Sequence, residues 1–279
     1  KEALNLLEQY NKPKKDFDSI IKFLEKYGSL FKDSKQLIIY KIREKFFDLL
    51  GIMKIKALSD NDKEKIVQLD KLSKIFYNSE SNKIKYQDFV EFIKNSKSRL
   101  KEALIEKKDI VFVMGHKNPD TDTVISSLFE SWRNHLLDKG KIAYIPIVQN
   151  YKIPDEIRKL LGDEISDAIL LDKEELYNKS KQSGLVRWIS VDQNREPEVQ
   201  RYFISIIDHH TASEISLLQD LPKTIEIIGS CIALVTQKML GIGIYFDKDL
   251  ARILHGATLM DTENRVFYKM TEKDKMIMD

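Results

Sequence analysis

From residue 110 onward the chain alternates short β-rich apolar runs with segments of helical spacing. That alternation confines it to the α/β folds with a largely parallel sheet. The strand candidates are IVFVM (110–114), IAYIPIV (142–148), DAILL (167–171), VRWISV (186–191) and FISII (203–207). Helical spacing covers 123–138, 154–161, 229–240 and 247–259. The expected architecture is a mainly parallel sheet with helices on both faces, preceded by an all-α domain.

The preceding residues read differently. Residues 1–105 hold one proline, Pro13, and apolar stripes at i, i+3, i+4. One stripe runs through Ile20, Ile21, Phe23 and Leu24. The next runs through Leu37, Ile38, Ile42, Phe46, Leu49 and Leu50, and together they predict four or five helices. The polar stretch 96–109 is the expected connection, so the domains are 1–105, helical, and 109–279, α/β. Inside the first domain FYNSESNKIKYQDFVEFI (76–93) is similar to an EF-hand, with a twelve-residue loop from Tyr77 to Asp88. Tyr77 replaces the first aspartate and Asp88 the bidentate glutamate, leaving too few charged oxygens for calcium. A structural helix–loop–helix is the reading retained.

Composition narrows the partners. Hydrophobic residues make up 42% of the 279, enough to bury a core. Lys and Arg (46) nearly balance Asp and Glu (44), and a net charge of +2 gives no argument for nucleic acid or membrane as principal partner. The single cysteine, Cys231, leaves no intrachain disulfide to form and fits a reducing, cytoplasmic compartment. No apolar run approaches the ~18 residues of a membrane span.

The chemistry concentrates in two strings. VFVMGHKNPDTDTVI (111–125) breaks from a strand at Gly115 into a loop bearing His116, Asp120 and Asp122. Open α/β sheets bind ligands at the C-terminal ends of their strands. An imidazole with several hard oxygens suits a divalent ion of the Mn, Fe, Co or Zn kind better than Ca. IIDHH (206–210) repeats the arrangement with Asp208, His209 and His210. Two such clusters suggest a pair of metals sharing a phosphate substrate. Each has a plainer reading taken alone: Asn-Pro-Asp is ordinary turn chemistry, and adjacent histidines after a strand are often surface residues. The start of IIGSCIALVTQKML (227–240) offers free helix N–H groups to a phosphate, or simple capping by Ser230 with burial of Cys231. His135, in WRNHLL, is expected at the surface, and His255 is expected to pack or to face a phosphate.

GHKNPDTD with a later DHH resembles the DHH phosphoesterase superfamily and, within it, the family II manganese-dependent inorganic pyrophosphatases. The resemblance covers about residues 109–279 and includes SVDQN (190–194), IIGSCIALVTQKML and TLMDTEN (258–264) in the family's order. Residues 1–108 match nothing in that family. The resemblance implies that His116 and Asp120 bind the first metal, that Asp122, His209 and Asp261 bind the second, and that Asp192 bridges both. Asp172, which also ends an apolar run, is the competing bridge. His210 would face the substrate phosphate, with Asp208 orienting an imidazole from behind. Gln193 stands where the family usually has histidine, which changes the surroundings of the centre but not its ligands.

The reaction this resemblance implies is hydrolysis of a phosphoanhydride, inorganic pyrophosphate first, by a two-metal-activated hydroxide. His210 and Asp192 would be its catalytic residues. The cofactors implied are two Mn2+ (or Co2+) per chain, with Mg2+ accompanying the substrate. The alternatives are a DHH-type phosphodiesterase or exopolyphosphatase acting on polyphosphate, short oligonucleotides or cyclic dinucleotides, and a non-enzymatic metal-bound regulator. The family's C-terminal substrate-binding domain is expected to be absent from these residues. Lys117, Arg195 and Arg265 would replace its cationic clamp only in part, so the 279 residues alone should turn over pyrophosphate poorly. A homodimer is compatible with the sequence, and nothing in it identifies a protein partner for residues 1–105. With Tyr77 in the first ligand position, sub-millimolar calcium should leave the helicity of the chain unchanged by circular dichroism; a calcium-dependent gain would overturn the structural reading of that loop.

Overall fold

The structure is a computed structural model that describes residues 37–74, 83–149, 152–195, 202–214, 216, 220–266 and 270–278. The apolar stripe at 20–24 and the first half of the EF-hand-like loop, residues 77–82, lie outside the described residues, whereas the rest of that loop, 83–88, forms a two-residue strand and the start of a helix. The chain forms two compact units, one grouping residues 1–82 with 237–244 and the other grouping 83–236 with 245–279. Residues 83–106, grouped by sequence with the helical region, fall in the second unit.

In the first unit, α1 (Leu37–Ser59) and α2 (Lys63–Ser73) bury Phe46, Phe47, Leu50, Ile55, Leu69 and Leu72. Asp62 caps α2 by accepting from the Lys65 N–H. Gly51 and Gly241 allow two backbones to meet: a Cβ at Gly51 would collide with the Gln237 carbonyl, and one at Gly241 with the Phe47 carbonyl. Two buried lysines are paired, Lys54 with Asp70 at 2.7 Å and Lys238 with Asp48 at 2.7 Å and Glu44 at 3.3 Å.

The second unit is built on six parallel strands. Its elements in chain order are β1 (Lys83–Ile84), α3 (Tyr86–Lys94), α4 (Ser96–Glu106), β2 (Ile110–Met114), α5 (Thr121–Asp138), β3 (Ala143–Val148), α6 (Asp155–Leu161) and α7 (Asp163–Ala168). After these come β4 (Leu170–Leu171), α8 (Glu175–Lys181), β5 (Val186–Val191), β6 (Phe203–Asp208), β7 (Lys223–Ile225), α9 (Cys231–Gly241), β8 (Tyr245–Phe246), α10 (Lys248–Asp261) and α11 (Glu272–Met278). The main sheet has the order β4-β3-β2-β5-β6-β7, and β1 pairs with β8 in a separate parallel ribbon. Strand residues alternate faces. Ile110, Phe112 and Met114 pack with Leu100, Ala103 and Tyr177 from α4 and α8, while Val111 and Val113 are buried on the face over which α5 runs. Each fully buried side chain of this size contributes ~1.5–3 kcal/mol, and the β-rich runs read from the sequence are therefore the strands that carry the core.

Differences from the sequence expectations come from size and polarity. DAILL contributes only two strand residues, because Asp167 and Ala168 complete the short helix α7. The edge strand β7 has the sequence KTI, with no apolar run to announce it. His135, expected at the surface, is half-buried with its ring 5.0 Å from that of Phe92, and burial first, then the Arg99 charge, pushes its imidazole down to about 4. Among the described residues no helix is long and apolar enough to cross a membrane.

The strand order turns back between β2 and β5. Connections on the two sides of that point leave in opposite directions, and the crevice so made at the strands' C-terminal ends is the usual ligand site of doubly wound sheets. Gly241→Ala, which would overpack a backbone contact, should destabilise the first unit by about 1–3 kcal/mol, read as a lowered urea midpoint with the secondary structure unchanged in water.

Candidate metal centre

The crevice at the ends of β2, β5 and β6 gathers the residues singled out from the sequence. After β2, Gly115 passes so close to Thr123 and to the Val191 carbonyl that a Cβ would clash with both. The loop then delivers His116 and reaches Asp120, the N-cap of α5, which accepts from the Thr123 N–H through Oδ1 at 2.9 Å. Its other oxygen, Oδ2, lies 3.6 Å from His116 Nε2. One carboxylate thus serves turn chemistry and the cluster at once. Gln149 and Gln193 donate their amides to the Gly115 carbonyl and hold the loop from below.

Asp192 follows β5 with φ of +55°, a left-handed conformation that Asp tolerates better than most residues. Its N–H still donates to the Ile207 carbonyl at 2.9 Å, so the turn redirects the side chain without breaking the ladder. The carboxylate is buried and divided between two partners. Oδ2 is 3.2 Å from His116 Nε2 and accepts from the Thr123 hydroxyl, whereas Oδ1 is 3.1 Å from His209 Nε2.

His209 and His210 leave β6 with different partners. The His209 ring is held through Nδ1 by the Ile228 carbonyl at 3.0 Å, which aims Nε2 at Asp192, at Asp122 (3.8 Å) and at Asp261 (3.7 Å) on the last residue of α10. His210 is more exposed, and its Nδ1 lies 2.8 Å from Asp208 Oδ1. Asp208 is in turn held by the Asn194 amide, whose oxygen accepts from the Ser213 N–H at 2.7 Å.

Asp122 explains the start of α9. Its Oδ2 accepts from the Cys231 N–H at 2.6 Å and its Oδ1 from the Ile232 N–H at 2.8 Å and the Ser126 hydroxyl at 3.2 Å. The anion at this helix N-terminus is thus the chain's own carboxylate, in accord with the dipole there.

Three groups have ligand atoms mutually within 4.8 Å: His116, Asp120 and Asp192; Asp122, His209 and Asp261; and Asp192, His209 and His210. Among the described residues Asp172 and His255 join none of them. Asp172 sits beyond β4, and burial raises its carboxyl. Sequence reasoning missed Thr123, Asn194 and the Ile228 carbonyl as supports of the centre; only the position of Asn194 in SVDQN hinted at one.

The electrostatics match a site for cations. Burial alone would lower the His116 and His209 imidazoles, but hydrogen bonds and charges from Asp120 and Asp192 hold the first up to about 10, and Asp192, Asp122 and Asp261 do the same for the second. Burial pushes Asp122 up, with Asp192 and Asp261 adding repulsion. Burial also opposes ionisation of Asp192, yet both imidazoles and Thr123 pull it well below the carboxylate range. Asp192 Oδ1 nevertheless has no hydrogen bond of good geometry, a buried oxygen facing into the crevice. An orphaned carboxylate oxygen amid imidazole and carboxylate donors fits a pair of divalent ions of the borderline transition kind.

No family model matches the chain. A probable manganese-dependent inorganic pyrophosphatase of Archaeoglobus fulgidus is 26% identical over 182 residues, covering 61% of this chain and 54% of that protein. The chain is thus similar, at a distance, to such phosphohydrolases. A manganese-dependent inorganic pyrophosphatase of Methanothrix thermoacetophila is likewise 26% identical over 176 residues, covering 61% and 53%. An exopolyphosphatase of Homo sapiens is 24% identical over 190 residues, covering 63% and 42%. The chain spans about half the length of the curated relatives it matches. These names accord with the resemblance carried by GHKNPDTD and DHH.

Metal-free protein has a defined pH signature. His116 and His209 bind protons more tightly folded than unfolded, so their contribution is complete below 6.5 and fades as pH rises toward about 10. Asp122, also raised, contributes below 3.8 and loses that contribution as pH rises through its folded value. Asp120 and Asp192 are lowered, so their contribution is present above 3.8 and lost as pH falls further. Urea midpoints of the metal-free chain should therefore peak between these ranges and decline toward pH 10; a flat profile from pH 6.5 to 10 would contradict the geometry.

Proposed function

We propose that this protein hydrolyses a phosphoanhydride bond with two divalent ions, inorganic pyrophosphate being the leading substrate. The observation that carries the reading is the division of the Asp192 carboxylate, with Oδ2 at 3.2 Å from His116 and Oδ1 at 3.1 Å from His209. A carboxylate so divided can join two ions, the spacing that two-metal hydrolases require. The names of the homologues support the same class of reaction.

In this reading His116, Asp120 and Asp192 hold one ion, and Asp122, His209, Asp261 and Asp192 the other. Mn2+ suits the donor set, with Co2+ a chemical substitute and Mg2+ entering with the substrate. When bound, such ions acidify water and neutralise phosphate charge. The chain's own residues supply orientation. Ile228 fixes the His209 ring, Thr123 holds Asp192, and the α9 N–H groups hold Asp122. Asp208 raises the His210 imidazole by its hydrogen bond, which engages Nδ1 and favours the imidazolium form, in which Nε2 also carries a proton. A proton at that atom can stabilise charge gathering on the departing phosphate.

A second reading, action on polyphosphate, is favoured by the match to the human exopolyphosphatase, which covers 63% of this chain against 61% for the two pyrophosphatases. Phosphate release from pyrophosphate, polyphosphate and a dinucleotide, assayed side by side with Mn2+ and Mg2+ on the full protein carrying these residues, separates the readings. Pyrophosphate should be preferred. Preference for polyphosphate or the dinucleotide would move the substrate, and no phosphate release from any would leave a metal-bound regulator. His210→Ala should cut kcat by roughly 100-fold or more at unchanged metal content. Asp192→Ala should remove both ions by elemental analysis, whereas loss of one would show that Asp192 does not bridge them.

A further inference from the structure

The turn at residues 228–232 holds two side chains of one cluster. The Ile228 carbonyl accepts from the His209 ring, and the Cys231 and Ile232 N–H groups donate to Asp122. Between them the Gly229 N–H donates to Asp274 Oδ2 at 2.8 Å. Asp274 lies on α11 and is fully buried. The same Oδ2 accepts from the Thr271 N–H at 2.8 Å and the Thr271 hydroxyl at 2.7 Å, while Oδ1 is buried with no hydrogen-bond partner among the described residues.

Local capping by Thr271 and Asp274 needs no burial, since such pairs work as well at a surface. A buried carboxylate with one oxygen unmatched carries a desolvation cost. The bond that only a buried position can make is the non-local one to Gly229. We propose that Asp274 is a positioning residue for the metal centre: by holding Gly229 it fixes the turn from which Ile228 aims His209 and Cys231 and Ile232 aim Asp122. Gly229 is one residue from the first support and two from the second, so a slip there displaces both. His116 and Asp120 hang from the β2 loop and make no bond to this turn. The effect of Asp274 therefore falls first on the His209 cluster, which meets the His116 cluster through Asp192. The part of the inference that concerns ions rests on the proposed two-ion reading; the part that concerns His209 and Asp122 does not.

The test compares wild type, Asp274→Ala and Asp274→Asn in the full chain, with Mn2+ as the probe. His116→Ala and His209→Ala assign the two binding steps in calorimetric titration. Asp274→Ala should weaken the His209-dependent step by roughly 10–100-fold and leave the His116-dependent step at its wild-type value. Asp274→Asn keeps an oxygen for Gly229 and should restore the weakened step. In metal-free protein, nitrogen-15 imidazole spectra should show the His209 resonances displaced by Asp274→Ala, those of His116 unmoved, and both at wild-type positions in Asp274→Asn. Equal weakening of both steps, with Asp274→Asn as impaired as Asp274→Ala, would overturn the proposal in favour of a purely structural role. Unmoved His209 resonances with unchanged affinities would overturn it outright. If wild type binds no Mn2+ while Asp274→Ala still displaces His209 alone, the two-ion reading fails and the positioning role stands. Should Asp274→Ala not fold, Asp274→Ser, which keeps a capping hydroxyl but is too short for Gly229, should give the same selective loss.

Discussion

The buried negative charge of Asp192 is the constraint around which the α/β unit is arranged. An ionised carboxylate taken out of water is tolerated only when its oxygens find partners. Here the partners come from three different segments: His116 from the loop after β2, Thr123 from the first turn of α5 and His209 from the end of β6. Those segments meet only because β2, β5 and β6 run parallel and end side by side. Even Gly115 answers to this demand, since a side chain there would push Thr123 away from Asp192.

Two helix starts share the work of holding the other carboxylates. Asp120 caps α5 through one oxygen and presents the other to His116. Asp122 takes the first N–H groups of α9. In both cases a bond that stabilises a helix also fixes a side chain whose free rotation would blur the centre. The left-handed backbone at Asp192 belongs to the same economy. Strain of this kind costs on the order of 1–3 kcal/mol and persists where surrounding structure imposes it.

How much of this was legible in the sequence depends on the range of the interaction. The strands IVFVM, VRWISV and FISII announced themselves because a buried parallel strand must be apolar over its length. The loop residues His116, Asp120 and Asp122 were legible as a group because they lie within seven positions, and the structure gathers them with Asp192, His209 and Asp261. β7 was not legible, since a three-residue edge strand needs no apolar run. Nor was the partner of the α9 N–H groups: composition can say that such groups want an anion, but only the fold shows that Asp122, more than a hundred residues earlier, supplies it. The preference for Asp192 over Asp172 was legible through SVDQN, and strand order adds a spatial reason, setting Asp172 beyond β4 and Asp192 at the end of β5 beside β2. The half-burial of His135 depended on Phe92, a contact between helices that local spacing does not encode.

The same physics of buried charge gives different outcomes in the two units. In the helical unit Lys238 meets Asp48 and Glu44, and Lys54 meets Asp70, so each buried cation has carboxylates at hand. Breaking such pairs costs about 3–5 kcal/mol because a charge is stranded, while their net gain over apolar packing is small. They specify structure. In the candidate metal centre the carboxylates of Asp120, Asp122, Asp192 and Asp261 lie beside the imidazoles of His116, His209 and His210, side chains that carry positive charge only when protonated. Four carboxylates there meet three imidazoles, and the carboxylates' mutual repulsion marks an excess of negative charge. Protons relieve the excess in metal-free protein, which is why the His116 and His209 imidazoles stand as high as about 10. A divalent ion relieves it better, because it replaces a proton with two charges and frees the imidazole nitrogen as a ligand. In the proposed two-ion reading, gain of metal and loss of protons are one coupled equilibrium, and it is the clustered carboxylates, not any single histidine, that would make the site exchangeable where the lysine pairs of the helical unit are not.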